Sequence, residues 1–154
     1  MGNSFTDGAA TTSGTYSAAG RYTTATLMAA RYGTPNLTRW GDPDNTGVTA
    51  TINTNLQTAI DEAEGIIDTL FRDSRYVVPF APVPSRVAVW ARDLAVILVY
   101  FARGRDYQND ELARKYRAAE KLLYRQMVAC QSGRTHLPSA NADQDQPTAP
   151  AVIG

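Results

Sequence analysis

Four carboxylates, Asp61, Glu62, Glu64 and Asp68, fall within eight consecutive residues of this chain. Carboxylates so close can share acid and base roles when a pocket raises the pKa of one of them. Here the neighbouring sequence offers no pocket-forming residues opposite them, so they read as one solvated acidic face of a helix. A second candidate is the string GDPDNTG, residues 41–47, in which Asp42, Asp44 and Gly47 match positions 1, 3 and 6 of a calcium loop. Position 5 is Thr46, and position 12 is Asn53 where a bidentate Glu is needed, so a tight Asp/Pro/Asn/Gly loop is the better reading. His136 and Cys130 are the only histidine and cysteine. Neither a zinc site nor a Ser-His-Asp or Cys-His arrangement has its partners nearby, and there is no P-loop or GxGxxG. No catalytic, cofactor-binding or metal-binding residue is assigned, and the chain is expected not to be an enzyme. The remaining charged motif is a basic row, Arg114, Arg117, Lys121 and Arg125, at helical spacing.

The elements that carry these residues are helices. Residues 84–103, PSRVAVWARDLAVILVYFAR, are apolar around most of a helical circumference, with Trp90, Phe101, Leu94, Val87, Leu98 and Ala91 on one broad face. Such a helix must be surrounded by others. Arg92 and Asp93 near its middle would each cost roughly 2.5–3.5 kcal/mol in lipid, which argues against a membrane span. The acidic face belongs to a helix expected to open at a capping box, Thr54 to Gln57, and to run to about Arg72. Its apolar positions are Leu56, Ala59, Ile60, Ala63, Ile66, Ile67, Leu70 and Phe71. The basic row belongs to a last helix that Asn109 caps and Gly133 ends, with Leu112, Tyr116, Ala119, Leu123, Met127 and Cys130 as its apolar stripe.

Three shorter features complete the pattern. Thr23 or Thr24 can cap a helix through Tyr32, with Gly33 as a positive-φ stop, and Pro35 opens one more turn that carries Leu37 and Trp40 inward. Residues 75–84, RYVVPFAPVP, contain three prolines and read as an extended crossing with Tyr76, Val78 and Phe80 turned to the core. Residues 104–108 form a turn. The expected class is all-α: a small helical bundle around the buried helix at about 84–103, with an extended Pro-rich crossing and flexible N- and C-terminal arms.

The chain has 154 residues, 44% of them apolar, enough for one domain with a real core. It divides into an arm at 1–20, rich in Gly, Ser, Thr and Ala; a helical domain at 21–137, with order beginning near Tyr22; and a tail at 138–154 rich in Pro, Ala, Asn, Asp and Gln. Formal net charge is zero, but all 15 basic residues lie between the arms, a mild excess too small to announce a nucleic-acid binder. One cysteine excludes an internal disulfide, and the N-terminus lacks a basic segment followed by an apolar run, so no signal peptide is expected. A soluble protein of a reducing compartment is the default.

Tyr22-Thr23-Thr24, Leu27, Arg31-Tyr32-Gly33, Leu37, Ala59, Ala63, Ile67-Asp68, Arg75-Tyr76, Pro79, Val83-Pro84, Asp93-Leu94-Ala95, Tyr116, Ala119, Leu123, Gly133 and Leu137 occur in an order that resembles the Mu-like phage virion family related to head–tail connector (adaptor, head-completion) proteins. The resemblance covers about residues 22–137, and both tails lie outside it. It implies a helical subunit repeated in a ring, dodecameric in such connectors, beneath the portal of a tailed phage or phage-like particle. The implied partners are the portal protein, a tail or stopper protein, further copies of the chain, and DNA passing through without sequence-specific contact; no membrane is involved. The implied location is the virion neck, and the host cytoplasm during assembly. Asp61, Glu62, Glu64 and Asp68 on one side and Arg114, Arg117, Lys121 and Arg125 on the other are then candidates for contact between neighbours, or the basic row for facing channel DNA. Leu137, Pro138, Val152 and Ile153 are candidates for docking on the portal, the alternative being a solvated tail. The rival reading is a small helical regulatory or nucleic-acid-binding module.

Overall fold

The computed structural model describes residues 15–103, 111–135 and 137. The hydroxyl of Thr24 accepts the Leu27 amide at 3.1 Å and starts α1, Ala25–Tyr32. Gly33 then adopts φ +95° and ψ +133°, a combination that residues with a Cβ rarely enter. Its N–H closes α1 on the Ala29 carbonyl (2.7 Å), and its carbonyl accepts the Leu37 amide (3.2 Å) to open α2, Thr34–Trp40. One glycine thus joins two helices with no linker, and Leu37 and Trp40 are buried as expected.

The loop after α2 closes on Asp42. Its carboxylate accepts the Thr46 amide (2.8 Å), the Thr46 hydroxyl (2.9 Å) and the Gly47 amide (2.8 Å). Those backbone bonds, from Gly47 and then Thr46, hold the Asp42 carboxyl below its usual pKa. The carboxylate is spent on its own loop. α3 then runs Thr49–Phe71 and starts one and a half turns earlier than the capping box at Thr54 predicts. Inside the helix the Thr54 hydroxyl donates back to the Ala50 carbonyl (3.0 Å). The earlier start buries Ile52 and brings Asn53 beside the incoming chain, and these tertiary gains override the poor helix propensity of this Thr/Asn-rich turn.

α4, Ser85–Phe101, is the central helix, with Pro84 just outside it as the N-cap. It packs against α1, α2, α3 and α5 (Glu111–Gln131). The two charged residues near its middle are satisfied locally. Arg92 pairs with Asp93 (2.9 Å), and the Tyr32 hydroxyl of α1 donates to the same carboxylate oxygen (2.9 Å). Tyr100 is buried edge-on against Trp40 and Tyr116, with centroids 5.3 and 5.0 Å away. The crossing between α3 and α4 is non-helical, as its prolines require. It sets Tyr76 and Phe80 in the core around Phe71, which stacks on Trp90 at 6.0 Å, while Val78 is half-buried.

α5 buries Ala113, Leu123, Met127 and Cys130, with Tyr116 and Ala119 half-buried. Leu112, expected in this stripe, is exposed, because in the first turn the inward position falls to Ala113. Gly133 at φ +86° ends the helix in a Schellman turn: the Arg134 amide reaches the Ala129 carbonyl (2.8 Å) and the Gly133 amide that of Cys130 (3.1 Å). Asn109 and the 104–108 turn lie outside the described residues.

Trp90→Ala removes the largest fully buried side chain and its stack on Phe71. It should destabilise the domain by about 3–5 kcal/mol in urea unfolding. Unchanged stability would mean that the α4 core is wrongly placed.

Candidate assembly surface

The acidic side of α3 is not a single solvated face. Glu64 is buried, 3% exposed, and its carboxylate accepts three successive backbone N–H groups, from Arg21 (2.9 Å), Tyr22 (2.7 Å) and Thr23 (3.2 Å). The turn that presents them closes by the Gly20 N–H on the Thr23 carbonyl at 2.9 Å. Residue 20 must be glycine here, since a Cβ would collide with the Glu64 carboxylate. An unpaired carboxylate at this depth would cost several kcal/mol; three charge-assisted bonds, with the Arg21 guanidinium 3.9 Å away, offset that cost.

The same contact continues along α3 in both directions. Asp68 pairs with Arg21 at 2.6 Å and accepts the Tyr22 hydroxyl, whose oxygen in turn accepts the Phe80 amide (2.9 Å). Burial, then the bond to Asp68, push the Tyr22 phenol well above its ordinary pKa near 10. Toward the helix start, Gln57 exchanges two bonds with Ala19 (3.0 and 2.9 Å), and the Asn53 side chain accepts the amides of Ser17 (3.0 Å) and Ala18 (2.9 Å). Asn53, Gln57, Glu64 and Asp68 share one side of the helix and together hold residues 17–23 as a strap. Order therefore begins at least as early as Thr15, with Tyr16 and Ala18 buried, rather than near Tyr22; residues 15–20, assigned to the flexible arm from composition, pack on α3.

Of the four carboxylates expected at the surface, Asp61 and Glu62 are exposed; Asp61 accepts from Gln57 (2.9 Å). The basic row divides in a similar way. Arg117 is drawn down to Glu120 and over the Phe101 ring at 4.1 Å, whereas Arg114, Lys121 and Arg125 are exposed. Arg125 shares a groove with Arg86, a residue the sequence did not single out because its neighbours come from a distant helix. Leu137 is fully buried, its N–H bonded to the Tyr76 hydroxyl at 3.3 Å, so it belongs to the core and not to a docking tail. Pro138, Val152, Ile153 and His136 lie outside the described residues. Among the described residues no group of three or more His, Cys, Asp or Glu could hold a metal, and no helix is long and apolar enough to cross a membrane.

The family model described as Bacteriophage Mu, Gp36 matches residues 22–153. The chain belongs to the phage Mu Gp36 family. The match begins at Tyr22, where the strap enters the Glu64 cradle, and it runs through the tail nearly to the C-terminus. The match extends past residue 137, where the resemblance ends, so most of the C-terminal tail belongs to the family pattern and does not lie outside it. Membership marks this as a phage protein, with a place in the virion or the infected cell. No curated relative and no solved structure matches the chain. Several residues that carried the resemblance meet in space: Tyr22 with Asp68, Tyr32 with Asp93, Tyr76 with Leu137, and Arg75 beside Gly133.

Glu64→Gln keeps the shape but opposes an N–H with an NH2. It should cost on the order of 3 kcal/mol in urea unfolding and speed hydrogen exchange at the Arg21, Tyr22 and Thr23 amides. Unchanged exchange there would remove the strap contact from the account. The phenol form of Tyr22 is favoured by folding, so its contribution is full below about pH 10 and is lost as pH rises further. Tyr22→Phe should therefore lower stability at pH 7 and flatten its decline above pH 10; an equally steep alkaline decline would place the dependence on other groups.

Proposed function

We propose that this chain is a structural head–tail connector (adaptor) subunit: copies form a ring under the portal, extend the DNA channel after packaging and join head to tail. The observation that carries the reading is the family match over residues 22–153. The helical build supports it, because a rigid bundle with separate outer faces suits repetition around an axis. The chain acts as a scaffold and not as an enzyme. Glu64 and Asp68, the carboxylates closest to an acid/base pair, are committed to backbone amides and to Arg21. The partners are the portal, a tail or stopper protein, and neighbouring copies in a ring whose size follows the dodecamer of related connectors. DNA passes through it, and its place is the virion neck.

The basic row of α5 faces the DNA in this reading and not a neighbour's acidic face. A salt-bridged seam between subunits needs matched charges. With Glu64 and Asp68 occupied, the acidic side of α3 keeps only Asp61 and Glu62 at the surface. The rival module reading shares the basic face but predicts no attachment to a portal.

Particles made without this protein should accumulate as DNA-filled heads and separate tails, and purified protein should restore joining. Joined particles formed without it would contradict the proposal. Within this scheme residues 138–154, with Pro138, Val152 and Ile153 as anchors, dock on the portal. Their removal should leave the bundle's melting temperature within a degree or two while reducing portal attachment at least tenfold. Full attachment by the truncated chain would leave the tail without that role.

A further inference from the structure

Arg86 in the first turn of α4 and Arg125 on α5 line one groove of about 290 Å³ with Gln126, Ala129 and Thr135. Every polar side chain in that lining can donate, and none is a carboxylate. Both arginines are exposed, and among the described residues neither has an ion-pair partner. The orientation of Gln126 is set from beneath: its side-chain oxygen accepts the Trp90 indole N–H at 3.3 Å, which leaves its NH2 as the outward donor. The first turn of α4 contains no acidic residue and no side-chain cap, so nothing there neutralises the positive end of a 17-residue helix. Lys121 is exposed one turn before Arg125, about 6 Å along the axis.

We infer that the Arg86–Arg125 groove is a phosphate site for the backbone of duplex DNA. Two guanidiniums and an amide lining one groove with no carboxylate among them suit a tetrahedral oxyanion, which accepts several donors at once. Lys121 beside the groove suits a polyanion more than a single carboxylate. Contacts of this kind carry no sequence information, as a protein that lets a genome slide past requires. Placing that DNA in a channel rests on the connector reading; the phosphate site itself does not.

The test uses the full chain and the double variant Arg86→Gln/Arg125→Gln, with inorganic phosphate and a 20-base-pair duplex as probes. Both side chains are exposed, so the variant should melt with the parent. Phosphate should shift the side-chain N–H resonances of Arg86, Arg125 and Gln126 in the parent. The variant should bind the duplex at least fivefold more weakly at 50 mM salt, with a dependence of log K on log salt shallower by about one to two. Resonances that ignore phosphate, with unchanged duplex affinity and slope, would overturn the site. So would a variant that binds DNA normally but no longer self-associates, which would assign the groove to a neighbour's acidic residues. The outcomes separate from those of the connector reading: a protein that joins heads to tails but fails the phosphate test loses only the site, and one that binds phosphate but joins nothing loses only the connector role.

Discussion

The carboxylate of Glu64 is the point on which the arrangement depends. Three consecutive amides from residues 21–23 converge on it, and the turn that aims them is closed by Gly20. Because Thr24 follows at once as the cap of α1, fixing those amides fixes where α1 begins and the direction in which it leaves α3. From there the constraint spreads by contact. α1 delivers Tyr32 to the Asp93 carboxylate on α4, and the Tyr22 hydroxyl ties the strap to the Phe80 amide of the crossing. A buried charge is a weak source of net stability, but it is strongly directional. The strap satisfies it with three backbone amides in a row.

The same interaction explains which parts of the molecule were legible in the sequence. Helical periodicity marked α3, α4 and α5, and glycines 33 and 133 marked two helix ends, because those signals are local and depend on backbone geometry. The prolines of residues 75–84 excluded helix for an equally local reason. Glu64 reads as solvated in the sequence because its partners are backbone amides more than forty residues away, and amides leave no residue-type signature. Leu137, a docking candidate at the end of the 21–137 domain, is a core residue for a reason the local sequence does not carry: the Tyr76 hydroxyl that receives its amide lies 61 residues earlier. The start of α3 moved for a related reason. A good capping box at Thr54 lost to Ile52 and Asn53, whose value appears only when the core and the strap are in place.

Burial of Glu64 also changes the outside of the molecule. With Glu64 and Asp68 held by the strap, the surface charge is less balanced than the formal net charge of zero suggests. Among the described residues Lys121, Arg125 and Arg86 have no ion-pair partner, while Leu122 and Val128 are exposed on the same helix as Lys121 and Arg125. A stand-alone protein gains little from such a face. A subunit of a phage neck has two uses for it, neighbours for the apolar residues and DNA for the cations.

Electron microscopy of the purified protein mixed with the portal of its own particle tests the central claim most directly. The connector account predicts a closed ring of this chain coaxial with the portal, seated on the side away from the head, with α5 directed toward the channel. Portal rings that remain bare at saturating concentrations of the protein, or density for it anywhere other than around the channel axis, would contradict the account.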